Sequence, residues 1–385
     1  MTLNPLTMSI RVCAKTVMDT TDPDITFDEQ GVSNWWHDFH EILNRMPSAT
    51  ERMRIFEQTI ERIKLEGKNK PYDSILGLSG GVDSSYMAFI AHKYGLRPLV
   101  VHFDGGWDSE EAVSNVQTFT KKLGFRLETF VMNWPEMRDL QRAYFKASVI
   151  DLDMPQDHMI NGALCKVASK HNIKWVLDGN NFATEWLLPR AWYYAKGGFA
   201  NLKGIHKKFG EAPLKHVPAL GAWQDFYYRK IRGIQNFKML ELHPYSKTEA
   251  KRFLMKELGW RDYGGKHYES VFTRVYQGYI LPLKYGIDKR KAHLSNLILN
   301  GEITREQALA ELQLPTDDPD RQKMDKIYVA KKLGWSEEEF DALISQAPVP
   351  HEAYGTDAAQ RRLASLLGSF LHPFAKVARL MGVRK

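Results

Sequence analysis

Cysteine is scarce in this chain: only Cys13 and Cys165 occur among 385 residues. They lie far apart and neither has a Cys-x-x-Cys neighbour. That excludes a disulfide framework, a four-cysteine zinc site and the thiol pair of many sulfur-transfer enzymes. The N-terminal nucleophile cysteine of one glutaminase type is also missing, and neither thiol has a triad context. No run of about 18 apolar residues is present, so a membrane-spanning helix is not expected. The first residues lack the apolar core of a secretory signal, which makes the cytoplasm the expected compartment. There is no internal repeat and no low-complexity tract. Negative charge is in deficit, with a formal net charge of +7. That charge suits an anionic partner, whether a nucleotide, a sugar nucleotide or RNA, but the basic residues are spread without a dominant block and read mostly as solvated surface, so nucleic acid is not an expected partner.

What is present begins with Ser79-Gly80-Gly81-Val82-Asp83-Ser84-Ser85, between an apolar run and a helical stretch. A strand, glycine turn and helix start in this order form a phosphate cradle. Glycines let the backbone approach an anion, free amides and the helix dipole face it, and the hydroxyls of Ser79, Ser84 and Ser85 add donors. Asp83 is positioned to hold magnesium. The turn lacks the Gly-Lys-Ser/Thr ending of a Walker A loop.

Around it, 73–178 alternates short β-rich runs with helical stretches, the pattern of an α/β doubly wound parallel sheet. Strands are expected at 74–78, 98–103, 126–131 and 174–177, and helices at 86–94, 110–123 and 159–171. One or two amphipathic helices are expected within 35–66, a helix over 247–258, and helical hairpins over 289–311 and 320–344. Thr304 and Ser336 are placed for capping boxes. Segment 186–223 is too irregular to assign. The basic, amphipathic stretch 361–385 is expected to be a terminal helix packed on protein. Three units follow: an N-terminal segment over 1–70, an α/β domain over 71–245, and a mainly helical region over 246–385. Ligands of such sheets lie beyond the carboxyl ends of the strands. The candidate chemistry collects there, in the glycine turn, His102-Phe103-Asp104-Gly105-Gly106, and Asp178-Gly179-Asn180-Asn181.

The glycine turn resembles the SGGxDS loop of the PP-loop ATP pyrophosphatases, an adenine nucleotide alpha-hydrolase-like fold. Segments 17–32, 178–185, 259–274 and 285–293 resemble, within it, the N-acetyl sugar amidotransferases of bacterial surface-polysaccharide (O-antigen) synthesis, the WbpG/PseA-like group. The similarity covers roughly 12–311. It implies an ATP- and magnesium-dependent enzyme that adenylates the oxygen of a sugar acetamido group, releasing pyrophosphate. Ammonia then displaces AMP to leave an acetamidino group. It also implies a separate glutaminase subunit and a (β/α)8 ammonia-conducting subunit related to imidazole glycerol phosphate synthase.

Carried onto this chain, the resemblance places ATP on Ser79 to Ser85, on His102, Phe103 and Asp104, and on Gly179 and Asn180. Asp83 and Glu185 become the magnesium carboxylates. His267 and Glu269 are candidates for proton removal. Lys266, Arg274, Lys284, Lys289, Arg290 and Lys291 supply cations for phosphates or a sugar carboxylate. One departure is clear: where relatives carry two Cys-x-x-Cys pairs, this chain has Cys13, Thr16, Ser33 and Trp36. No zinc is expected there, and packing by Trp35 and Trp36 is the expected substitute. Two alternatives stay open at this point: a tRNA-modifying PP-loop enzyme, and a noncatalytic ATP-binding assembly subunit. Which sugar is the acceptor is also open.

Overall fold

The computed structural model describes residues 10–265 and 268–366. Five parallel strands form one sheet: β1 (Ser74–Gly77), β2 (Pro98–Asp104), β3 (Arg126–Val131), β4 (Trp175–Asp178) and β5 (Gln235–Lys238), in the order β3-β2-β1-β4-β5. Ile75 is in register with Leu99 on one side and Val176 on the other. The side chains alternate across the sheet. Leu76, Val100 and Leu177 enter one core, and Ile75, Leu99, Val101 and Val176 enter another, so helices cover both faces.

The first face is closed by α2 (Ala49–Glu66), α3 (Val82–Lys93) and α4 (Glu110–Leu123), through Phe56, Ile60, Ile90, Val116 and Phe119. The second is closed by α6 (Met154–Lys170) through Val167 and Ala168. Local chemistry sets several ends. Ser48 and Ser109 accept hydrogen bonds from the N3 amides of α2 and α4, and Gly124 ends α4 in the left-handed region at φ 68°. Both expected capping boxes form, at Thr304 with Gln307 and at Ser336 with Glu339.

Several elements depart from the sequence expectation, among them the unassigned helices Val271–Val275 and Leu281–Tyr285. β5 was not anticipated, because it is an edge strand with Phe237 as its buried residue and so carries little alternation. Helix α5 (Trp134–Ala147) was not assigned either. Its polar residues are buried rather than facing solvent, which hides the apolar period: Glu136 accepts amide hydrogens from Lys215 and His216, and Asp139 from Glu211 and Ala212. Those bonds pin the segment that looked irregular, which also contains the helix Phe199–Phe209. The helix expected over 247–258 is α-helical over Lys247–Phe253 and continues as a π-helical turn over Leu254–Leu258.

The units separated at 70 and 245 share one core. A single apolar cluster contains Met18 and Phe39, Tyr144 and Trp192, and Phe272, Val329 and Phe340. In the N-terminal segment, helix α1 (Asn34–Arg45) stacks Phe39 on Phe182, 4.8 Å between ring centroids, directly after β4. No helix among the described residues is long and apolar enough to cross a membrane. Most of the expected terminal helix lies outside the described residues. Its first turns are helical to residue 366, with Arg361 bonded to the carbonyl of Gly197.

Candidate active site

The glycine turn is built as a cradle and fixed from behind. Gly80 has φ +86°, and a Cβ there would stand 2.6 Å from the carbonyl oxygen of Ala112, so only glycine fits. Its own carbonyl is held by the indole N–H of Trp260 at 2.8 Å and by the Asn115 amide at 3.3 Å. Asn115 also brackets Arg261, accepting its N–H at 2.8 Å and donating to its carbonyl at 2.9 Å. Gly81 donates to Ser79 Oγ, Ser84 Oγ donates to the carbonyl of Gly81, and α3 starts at Val82. The first amides and the positive end of the helix therefore meet at the turn. Val82 contributes backbone, since its side chain is buried; Ser85 is also fully buried, with its hydroxyl turned inward.

Two tyrosines and a lysine that sequence reasoning passed over complete this place. Tyr245 donates its hydroxyl hydrogen to Asp83 Oδ1, and Lys247 Nζ lies 3.8 Å from Asp83 Oδ2. Burial, with the charges of Asp83, Glu302 and Glu185 nearby, pushes the Tyr245 phenol far above its ordinary range. Tyr263 hydrogen-bonds Glu269 and is raised in the same way, by burial and then by Glu269 and Asp83. Both phenols therefore stay protonated donors. A Cβ on Gly81 would lie 3.3 Å from the Tyr263 hydroxyl and 3.6 Å from Glu269 Oε1, so these groups stand over the turn. Glu302 holds Lys247 in place by accepting from the Lys247 and Thr248 amides at the start of their helix. Order along the chain gave no signal for this grouping: Tyr245 and Lys247 lie in a stretch without a glycine signature, and Tyr263, though inside segment 259–274, carries no local mark of the turn it will meet.

At the end of β2, His102 is buried between the carbonyl of Leu78, 2.9 Å from Nδ1, and Asp108, 3.1 Å from Nε2. Burial opposes its charge, but Asp108 and the carbonyl outweigh it and raise its pKa. It ties β1 and β2 together at their carboxyl ends. Phe103 stacks on Phe130, and Asp104 Oδ1 accepts the amide of Gly106. The backbone of Glu269 is stitched to the same loop, its carbonyl accepting from Ser109 at 2.8 Å. At the end of β4, Asp178 accepts the Asn180 amide, and Asn181 caps the next turn through Thr184. Asn180, Glu185 and Trp186 line an open cavity of about 370 Å³ together with Lys238 at the end of β5 and Glu241 beyond it.

Most of the expected cationic pool is engaged elsewhere by the chain's own groups. Arg274 pairs with Asp325 at 2.6 Å, Arg290 with Asp288 at 2.8 Å, and Lys291 with Asp19. Lys284 donates to Ser148 Oγ and the carbonyl of Leu343, and burial lowers its pKa to about 8. Lys289 lies over the Tyr276 ring; burial lowers its pKa against the opposing fields of Asp151 and Asp153. Lys266 and His267 lie outside the described residues.

Asp83 and Glu185 both lie within electrostatic reach of the Tyr245 phenol; a magnesium ion takes one or two carboxylates and completes its shell with phosphate oxygens and water, and these two are the residues that would hold one. Among the described residues no group of three or more His, Cys, Asp or Glu could hold a metal. The positions of the two Cys-x-x-Cys pairs do not fit zinc. Cys13 Sγ is surrounded by the amides of Lys15, Thr16 and Ser33 at 3.3 to 3.4 Å. Trp36 turns aside against His40, while Trp35 donates its indole N–H to Asp22. Hydrogen bonds to one thiol hold the knuckle, and Arg305 ties it down through the carbonyls of Cys13 and Thr16.

Residues 269–367 match the family model described as LPS biosynthesis protein WbpG-like, C-terminal domain. The match starts at Glu269, beside the glycine turn. No curated protein matches the chain. Among solved structures, similarity is found to NMN synthetase from Francisella tularensis, at 15% identity and TM-score 0.32 over 76% of this chain and 98% of that one. It is found also to NH3-dependent NAD synthetase from Campylobacter jejuni, at 14% identity and TM-score 0.30 over 77% and 98%. A U34-tRNA thiolase from Methanococcus maripaludis aligns at 17% identity and TM-score 0.27 over 70% and 88%. Likeness this loose leaves the fold assignment to the sheet itself.

Proposed function

We propose that the chain is an ATP-dependent amidotransferase that converts a sugar acetamido group to an acetamidino group, in the synthesis of a bacterial lipopolysaccharide O-antigen. The observation that carries this reading is Asp83, held by Tyr245 on the first turn of α3 at a cradle that Glu269 overlooks. The WbpG-like match over 269–367 supports the pathway.

An amide carbonyl is a poor electrophile, and its oxygen is a poor leaving group. In the proposed reaction that oxygen attacks the α-phosphorus of ATP, the bond to pyrophosphate breaks, and an O-adenylyl imidate forms. Ammonia adds at the imidate carbon, a proton is lost, and AMP departs with the original amide oxygen. The amides of the turn and the N-terminus of α3 hold the departing pyrophosphate, with Lys247 offsetting its charge. Magnesium, held by Asp83 and Glu185, supplies further neutralisation of phosphate charge. Tyr245 and Tyr263, as hydrogen-bond donors, keep Asp83 and Glu269 oriented. Glu269, beside the turn, is the base that accepts the proton from the incoming ammonium, with His267 and Lys266 the adjoining candidates.

Ammonia reaches the site from partner subunits, a glutaminase and a (β/α)8 conducting subunit, and the acceptor is a UDP-linked diacetamido uronic acid. The isolated chain, supplied with ammonium, ATP, magnesium and that acceptor, is expected to give a product in which NH replaces one amide oxygen by mass spectrometry. Glutamine is expected to support turnover only when the partners are added. No such product at high ammonium contradicts the proposal.

A further inference from the structure

The nucleotide cradle and the cavity lie on opposite sides of one break in the sheet. From β1 the chain winds outward through β2 to β3, then returns to place β4 on the other flank of β1. The crevice above β1 and β4 is therefore the topological switch point, where open parallel sheets bind ligands. The glycine turn follows β1, whereas the cavity follows β4 and β5. Glu185 belongs to both, lining the cavity and lying within the electrostatic reach of Tyr245, the partner of Asp83.

We propose that this cavity seats the acceptor sugar and that helix α1, from the N-terminal segment, forms one of its walls. The inference rests on the amidotransferase reading and adds where the sugar lies and what selects it. At about 370 Å³ the space is within the ordinary range of small-molecule sites. Its surfaces are divided as an acetamido sugar would require. Trp186 and Phe182 bring aromatic rings to the lining, against which a pyranose ring can pack, and Ile42 of α1 with Met46 just past its end offers an apolar wall to acetyl methyls. Asn180 and Glu185 face the same space with groups that bond hydroxyls and amide N–H. Lys238 stands at the rim, more than half exposed and 3.8 Å from Glu241, where it can meet the diphosphate of a sugar nucleotide.

The walls are fixed in relation to one another. Phe39 of α1 stacks on Phe182 and meets Trp186 edge-on at 5.6 Å. Trp35 meets Trp186 at 5.5 Å. Asn181 spends its amide on Gly179 and Thr184, which sets the turn that presents Asn180. Thus the N-terminal segment supplies a wall of the sugar site, and the Cys13 knuckle, bonded to the amide of Ser33 at the start of α1, keeps that helix in position.

The test is isothermal titration of the full chain with two probes, the UDP-linked diacetamido uronic acid and α,β-methylene-ATP. Wild type is compared with Ile42→Trp, which fills the cavity from α1, and with Trp186→Ala and Trp186→Phe. Ile42 is half-buried, so its variant is expected to fold, and thermal melts confirm this for each protein. Both Ile42→Trp and Trp186→Ala are expected to weaken the sugar probe about tenfold or more, with Trp186→Phe near wild type and the nucleotide probe within about twofold throughout. Unchanged sugar affinity in folded Ile42→Trp overturns the proposal. So does a wild-type chain that binds the nucleotide probe and not the sugar. If the sugar is lost as expected but wild type yields no AMP with it, the seat stands and the amidotransferase reading fails. If turnover is normal and both variants keep it, the reading stands and the seat fails.

Discussion

Tyr245 donates its phenolic hydrogen to Asp83 across 162 residues of sequence, and it does so on the oxygen opposite the one that faces Lys247. One carboxylate is thus gripped on one side and left beside a cation on the other. Removing the hydroxyl alone in Tyr245→Phe keeps the ring against Tyr86 and frees Asp83 to turn. A hydrogen bond to a charged group contributes about 1.5–3 kcal/mol, so kcat/KM for ATP should fall roughly ten- to hundredfold. Asp83→Ala should abolish turnover. Steady-state kinetics with ATP varied checks both; a Tyr245→Phe enzyme equal to wild type contradicts the role.

Gly80→Ala should damage both stability and nucleotide binding. The new methyl would be placed 2.6 Å from the Ala112 carbonyl on a backbone at φ +86°, so the turn must move. Loss of about 1–3 kcal/mol in urea unfolding is expected, with binding of α,β-methylene-ATP lost in titration. Gly81→Ala, at an ordinary φ, should retain more stability and still obstruct the cradle, because its methyl points at Tyr263 and Glu269.

The sequence made β1, the cradle and β3 plain because each is local: a strand and a glycine turn are written in neighbouring residues, and β3 falls where the β-branched and aromatic run falls. The helix of residues 110–123 was equally direct, since its apolar period matches the face it buries. Tyr245, Lys247 and Tyr263 were not legible, because what makes them site residues is the folding of distant segments over one turn. Helix α5 was hidden by buried carboxylates, and β5 by its edge position. The lysines and arginines of 274–291 looked like a phosphate pool, yet several prove to be partners of carboxylates that appear only in the folded chain, such as Asp325 and Asp19.

Asp153 sets a pH dependence of stability. Burial, then the charge of Asp157, raises its pKa from 3.8 to about 7, against the opposing pull of Lys196; Asp151 and Lys289 face it too. The folded state therefore binds a proton that the unfolded chain has released between those values. Stability from this group is complete below about 4 and is lost as pH rises toward 7. Asp153→Asn keeps an acceptor for Thr273 Oγ1 and should remove this component, leaving the variant the more stable protein above neutrality. Urea unfolding at a series of pH values checks the sign.

Chelation should separate two metals. EDTA is expected to stop turnover, with recovery on adding magnesium, while leaving the melting temperature unchanged because one thiol cannot hold a structural zinc. Cys13→Ala should instead lower stability by about 1–3 kcal/mol, since it strands the amides of Thr16 and Ser33 that now point at sulfur. A melt that drops on chelation alone would contradict this account of the N-terminal segment.

The most direct test concerns which bond of ATP is broken. With the acceptor sugar nucleotide, magnesium and ammonium present, ³¹P NMR or anion-exchange chromatography of the turnover mixture should show AMP and pyrophosphate accumulating in equal amounts, dependent on the acceptor. ADP and orthophosphate in their place would mean transfer at the γ-phosphorus, and the adenylation account would be wrong.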